Sequence, residues 1–435
     1  MTPDNNLITS AFRRFTKLGG LAGRVGASLL ASRIADVARG DVARAAHHTE
    51  VLVRNAMRVA ETLGQMKGGA MKVGQMLSLH ADLLPPEVGE VLRTLQAKAP
   101  AVPAEVMEFE ARGELKNFDA LFASFEPGAC AAASIGQVHR ATLRDGRAVV
   151  VKIQYPAIDQ IIRADLKNLR VVFQGVFALF SDAEFDPIWQ EIRERLLEEL
   201  DYVHEAATID RMRALNAGVP EIVIPGVVRE ATTARVLTME RVDGIAPDEA
   251  CSGRYDAGLR DRWGRTLFEF AFRGLLVHRL LHADPNLSNF AFLPDGRVVV
   301  YDFGCAKDIP AAIATGYAKV MRAAIDGRKA DVPDILREMG VGFADGSPLP
   351  PAMTTPFVEL FTELLRADPP YTFGSDLTIY ARLFDLGLTH ARDASQLRFP
   401  GDVVFVNRTL SGHFGNLARL RATGRWRELA LGFVG

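Results

Sequence analysis

Between residues 50 and 80, Val53, Met57, Ala60, Leu63, Met71 and Leu79 recur at helical spacing, with Gln75 in the same series. This pattern predicts one long helix, bent at Gly68-Gly69 and stopped by Asp82-Leu83-Leu84-Pro85-Pro86. A second helix is expected from Glu87 to Lys98, ended by Pro100 and Pro103. The period then shortens within residues 121–154. Ile135–Leu143 and Arg147–Gln154 read as strands around the turn Arg144-Asp145-Gly146, with a β-branched run at Val149-Val150-Val151. Helical spacing returns over 160–215. A strand pair is expected at Glu221–Val228 and Ala234–Glu240. Beyond Gly244 the pattern is mostly helical, broken by one hairpin at Phe290–Val300 that turns at Pro294-Asp295-Gly296. The expected fold class is α+β, with a small β-rich lobe, then a mostly helical lobe, and a helical extension in front.

Composition bounds this picture. The 435 residues allow two to four domains, or one bilobal core with an extension, and 48% apolar residues suffice for a large core. A net charge of -2 gives no overall signal for a polyanion, so no nucleic-acid partner is expected. Cys130, Cys251 and Cys305 stand far apart, which argues against a zinc site or a disulfide framework and suits a reducing compartment. No apolar run reaches 18 residues; Val171–Phe180 is interrupted by Gln174 and Gly175. The N-terminus lacks the layout of a signal peptide, so a soluble, cytoplasmic protein is expected. Residues 1–60 carry nine Lys/Arg against four acids. They read as a helical leader with a solvated basic face, or as a surface-seeking segment for anionic lipid at the inner face of a membrane.

The candidate chemistry is concentrated at residues 282–304. His282-Ala283-Asp284-Pro285-Asn286-Leu287-Ser288-Asn289 is followed, after the predicted hairpin, by Tyr301-Asp302-Phe303-Gly304. In kinases a catalytic-loop Asp precedes an Asn by five positions and a DFG motif follows. Asp284 and Asn289 have that spacing, and Asp302-Phe303-Gly304 stands in that context. Magnesium needs hard oxygen ligands. Asp302 offers a carboxylate and Asn289 an amide oxygen, while Asp284 could reach a hydroxyl or a water. Upstream, Val149-Val150-Val151-Lys152 is similar to the kinase strand whose lysine meets the α- and β-phosphates, and an acidic partner would hold that lysine. No glycine-rich loop or P-loop precedes it. Ala131-Ala132-Ala133-Ser134 occupies that place, where alanine restricts φ and would make a stiffer phosphate cover, or simply packs as small residues.

The runs AAASIGQVHRA, VVKIQYP, ELDYVHEA, HADPNLSNF and YDFG, in this order, resemble the UbiB/ADCK (AarF-type) atypical kinase-like family. Lys72-Val73-Gly74-Gln75 is similar to its KxGQ signature. The resemblance covers residues from about 62 to beyond 310, and HADPNLSNF looks nearer to the ubiquinone-associated ADCK branch than to bacterial members. It implies a bilobal kinase-like fold, divided as a basic leader (1–60), a KxGQ helical extension (61–120), an N-lobe with a helical insertion (121–242) and a helical C-lobe (243–435). It further implies a nucleotide lysine at Lys152 with Glu205 as partner, an ExD motif at Glu199 and Asp201, and catalytic Asp284. Asn289 and Asp302 would be metal ligands, and Ala132, Ala133 and Ser134 would form a nucleotide cover. The hinge around Glu240 and Val242 would take adenine, and Lys72, Gly74 and Gln75 would reach over the active site. On an ideal helix Glu199 and Asp201 lie about 200° apart, so they share a pocket only if a helix begins or distorts there. Asp201 and Glu205, i and i+4, would align.

The function this implies is Mg-ATP chemistry: hydrolysis, or transfer to a small or lipid-linked acceptor around ubiquinone biosynthesis, with quinone-precursor lipids or proteins of that pathway as partners. A helix bearing Lys72 over the cleft would impede protein substrates. The alternatives are a weakly catalytic nucleotide-binding scaffold or switch, and a small-molecule phosphotransferase of the aminoglycoside type.

Overall fold

The computed structural model describes residue 28 and residues 102–434, other than 134, 178–184, 344, 366–369 and 376–396. The basic leader and the helices expected at 50–80 and Glu87–Lys98 lie outside the described residues. The described residues form two compact units, 102–206 with 227–241, and 207–226 with 242–434. The first is built on a sheet and the second is mostly helical, the mixed α+β character expected from the period changes. Among the described residues no helix is long and apolar enough to cross a membrane.

In the first unit, helix α1 (Ala104–Glu114) carries Met107 and Ala111 on one stripe, continued by Leu115 past its end, and all three are buried. They cover one face of an antiparallel sheet whose strands lie in the order β1 (Phe122–Ala132), β2 (Gly136–Leu143), β3 (Ala148–Gln154), β4 (Val236–Glu240). Successive side chains on a strand point to opposite faces. Val149, Val151 and Ile153 therefore join the core under α1, and Lys152 and Gln154 take the other face. The β2–β3 turn falls where the sequence put it: Gly146 has φ 89° and the Arg147 amide donates to Asp145.

Two sequence readings change. The stretch from Phe122 to Ala132 is a strand, which Pro127-Gly128 disguised; the β1–β2 register shifts between Phe125 and Ala129 and absorbs both residues. The helical reading of 160–215 holds among the described residues, as α2 (Ile158–Phe177), α3 (Phe185–Glu198) and α4 (Tyr202–Leu215). The expected strand pair splits. Val227 bridges Met239 of β4, but Ile222-Val223 pairs in parallel with Val298-Val299 in the second unit.

In the second unit, helix α5 (Ala257–Phe272) is capped by Asp256, which accepts from the Leu259 amide at 2.9 Å. It buries Trp263, Leu267, Phe268 and Phe270 and runs into a π-helical turn, Arg273–His278, ended by Arg279 at φ 51°. Two antiparallel ladders follow, one nested inside the other. The outer ladder joins β5 (Leu280–His282) to β8 (Ala306–Asp308), and the inner joins β6 (Phe290–Phe292) to β7 (Val298–Val300). The inner pair is the predicted hairpin, with Gly296 at φ 100° in its turn. Helices α6 (Ala311–Ile325) and α7 (Gly401–Leu420) complete what the site needs.

Candidate active site

Nesting forces the segments between the ladders, 283–289 and 301–305, to run side by side. Two backbone bonds fix them: the Ala283 amide donates to Cys305 O at 2.8 Å and the Tyr301 amide to Asn289 O at 2.9 Å. Asp284, Asn289 and Asp302, distant in sequence, are thereby gathered in one partly buried cluster of the second unit. The Asn289 side-chain amide donates to Asp284 O at 3.3 Å, which turns its oxygen the other way. The Asp284 carboxylate accepts from the Asn286 amide at 3.2 Å and the Asp302 carboxylate from the Gly304 amide at 3.0 Å. Each is held by a backbone N–H, so its rotamer is set before any ligand arrives.

The support under this cluster is apolar. His282 is buried among Phe270, Phe290 and Phe303, and its Nε2 donates to the Asp302 carbonyl. His282 is thus a hydrogen-bonding residue of the loop. Behind it His413 of α7 is 1% exposed and packs T-shaped against Phe290. Burial first, and then the neighbouring His282, push its pKa down to about 3. Tyr301 donates its hydroxyl to Val242 O at 2.7 Å, and burial with Asp243 nearby pushes that phenol up to about 12. Sequence reading did not single out Tyr301 or the α7 residues. Only tertiary packing brings 413 to 282.

The first unit supplies the lysine. Lys152 Nζ donates to both Glu205 oxygens, at 2.9 and 3.0 Å, and both side chains are buried. Glu205 is in position because the start of α4 is pinned to the sheet. The Tyr202 amide donates to Ala234 O at 3.0 Å, and Gln154 reaches both Leu200 O and Ala234 O. The Tyr202 ring lies 5.0 Å from the lysine nitrogen, a further cation-favouring contact.

Other sequence candidates are placed as follows. α3 ends at Glu198 and α4 begins at Tyr202, so a helix does begin beside Glu199 and Asp201. The Asp201 carboxylate is exposed and caps α4, accepting from the Val203 amide at 2.9 Å. It stands one turn before Glu205, whose amide donates to the Asp201 carbonyl at 3.2 Å, in keeping with the expected i,i+4 alignment. Glu240 closes β4 and is partly buried. Ala132 ends β1, opposite Gln137, and Ala133 follows the strand with its amide donating to Gly136 O at 2.9 Å. Ser134, Lys72, Gly74 and Gln75 lie outside the described residues.

The donor set suits a small hard cation. Among the described residues no group of three or more His, Cys, Asp or Glu is placed to hold a metal. Magnesium in phosphate chemistry is held by one or two carboxylates with substrate oxygens, and the Asp302 carboxylate with the Asn289 amide oxygen fits that.

Residues 94–336 match the ABC1 atypical kinase-like domain. The chain belongs to this family. The rat atypical kinase COQ8B, mitochondrial, is 32% identical over 428 residues, covering 97% of this chain and 80% of its own. The atypical kinase COQ8, mitochondrial, of Schizosaccharomyces pombe is 30% identical over 396 residues, 88% of this chain and 63% of its own. Among solved structures, the Rv3197–erythromycin complex from Mycobacterium tuberculosis aligns with TM-score 0.67 and 28% identity, over 89% of this chain and 97% of that one. The ABC1 match spans the Lys152–Glu205 pair and all three residues of the oxygen cluster.

Proposed function

We propose that this ABC1 chain binds ATP with magnesium and performs phosphate chemistry on it, by hydrolysis or by transfer to a small or lipid-linked acceptor in support of ubiquinone biosynthesis. The observation that carries this is the cluster of Asp284, Asn289 and Asp302 gathered by the nested ladders. Asp302 and Asn289 are the metal ligands of this reading. The bound magnesium would neutralise charge developing on the phosphate oxygens. Lys152 contacts phosphate oxygens, with Glu205 holding its ammonium in place. Asp284 accepts the acceptor's proton or orients water. Glu240 and Val242 meet adenine through backbone groups; the Val242 carbonyl already receives Tyr301, so its N–H is the group for that contact. Ala132 and Ser134 border the nucleotide. Lys72, Gly74, Gln75, Glu199 and Asp201 restrict the acceptor. The basic leader makes peripheral contact with a membrane.

One observation favours a second reading, a nucleotide-binding switch with little turnover. The Ala133 amide is already hydrogen-bonded, so the stretch that replaces a glycine-rich loop has fewer donors for a transferring phosphoryl group.

Thermal-shift titration with Mg-ATP, on wild type and Asp302→Asn, tests the shared core. Stabilisation that Asp302→Asn abolishes is expected; equal stabilisation of both proteins refutes the metal assignment. Phosphate release that depends on Asp302 separates the enzyme from the switch.

A further inference from the structure

A cavity of about 860 Å³ opens in the first unit between α2 and α3. Its walls are cationic. Arg163, Lys167 and Arg170 follow one another at i, i+4 and i+7 on one face of α2, and Arg193 faces the cavity from α3. Its floor is apolar, with Trp189 and Leu166 buried at 5% and 6% exposure and Leu197 beside them. Asp186 is the one acid in the lining, and it is engaged with Arg170 at 2.9 Å. Gln190, also in the lining, donates to Glu194. Among the described residues, Arg163, Lys167 and Arg193 have no ion-pair partner.

Like charges lining one concave wall focus an electrostatic potential that draws an anion into it. The volume lies in the range of small-molecule sites, and a buried indole with two leucines gives an apolar tail a place to lie. We propose that the α2–α3 cavity binds a phosphate-bearing amphiphile, its phosphate on Arg163, Lys167 and Arg193 and its tail on Trp189, Leu166 and Leu197. The guanidinium groups of Arg163 and Arg193 suit bidentate contact with phosphate oxygens. The site shares no residue with the oxygen cluster and does not depend on the ATP reading.

Isothermal titration of the full chain with dihexanoyl phosphatidic acid, below its micelle concentration, tests this. Inorganic pyrophosphate and dihexanoyl phosphatidylcholine are the comparison ligands, all in saturating Mg-ATP. Phosphatidic acid should bind, pyrophosphate should bind more weakly, and phosphatidylcholine should not bind. Arg163→Gln/Lys167→Gln should weaken phosphatidic acid about tenfold or more, and Arg193→Gln should do so independently. Lys116→Gln, an exposed cation elsewhere in this unit, should leave affinity unchanged. Circular dichroism and melting of each variant confirm that it is folded. Affinity unaffected by either cavity variant, no binding to wild type, or equal binding of phosphatidylcholine overturns the proposal. Pyrophosphate binding as tightly as the amphiphile overturns the role of the apolar floor. Asp302→Asn should bind phosphatidic acid like wild type even if it responds to Mg-ATP unchanged, so failure of the nucleotide reading is distinguishable from failure here.

Discussion

The Asn416 side chain on α7 donates to the carbonyl oxygen of Pro285 at 2.6 Å, fixing the residue that follows Asp284. One turn earlier Gly412 faces the same proline, and a Cβ built there would collide with the proline ring. The helix and the loop meet where neither can yield, because a proline ring cannot swing aside. Gly412→Ala should therefore destabilise by about 1–3 kcal/mol through overpacking. Asn416→Ala should cost about 1 kcal/mol through the lost hydrogen bond. Urea midpoints measure both; a Gly412→Ala protein as stable as wild type would show that α7 shifts freely over the loop.

The Lys152–Glu205 pair gives an asymmetric prediction. Removing one partner leaves a buried charge, so Lys152→Met should cost roughly 3–5 kcal/mol. The double variant Lys152→Met/Glu205→Leu should recover much of that, because no charge is then stranded. A double variant less stable than Lys152→Met alone would contradict this account. The measurement is a double-mutant cycle of unfolding free energies.

His413 predicts an acid limb. Its folded pKa of about 3 lies below the ordinary value of 6.5, so between those values the unfolded chain binds a proton that the folded chain refuses. Stability from this group is full above about pH 6.5 and falls as pH drops towards 3. At pH 5 the loss is roughly 2 kcal/mol. His413→Phe should flatten the fall in Tm between pH 7 and pH 5; an unchanged slope would mean the ring is already protonated in the native core.

Gly136 predicts a strict requirement at the start of β2. A Cβ there would run into the Ile153 carbonyl oxygen of β3, a backbone atom with no rotamer to change. Gly136→Ala should part the strands and lower stability by about 1–3 kcal/mol, or more if the hairpin opens. A melting temperature within a degree of wild type would count against the close approach.

Much of the candidate site was legible because kinase-like motifs are local in sequence. Asp284 and Asn289 are five apart on one loop, Asp302 follows a hairpin announced by Pro294-Asp295-Gly296, and Lys152 ends a β-branched run. The pattern could place these groups on loops and strands but could not bring them together. That took the outer ladder, whose strands of three residues each are too short to show a period. The strand β1 was hidden by its own bulge, since Pro127-Gly128 argue against a ladder unless the partner strand absorbs them. Asn416, Gly412 and His413 left no signal in sequence, for their partners lie more than a hundred positions away.

The nesting of the two ladders also sets an order of assembly. The inner pair closes a short loop, while the outer pair spans everything inside it, and closing the longer loop first costs more chain entropy. Once β6 and β7 have paired, the distance the outer strands must bridge is much shorter. The transition state for folding should therefore contain the inner hairpin before the outer one. Val299→Ala, in the inner ladder, should give a higher φ-value than Leu281→Ala, in the outer one, and the reverse ranking would rule this order out. On this order Asp284, Asn289 and Asp302 come together late, so a half-folded chain does not yet carry the assembled oxygen cluster.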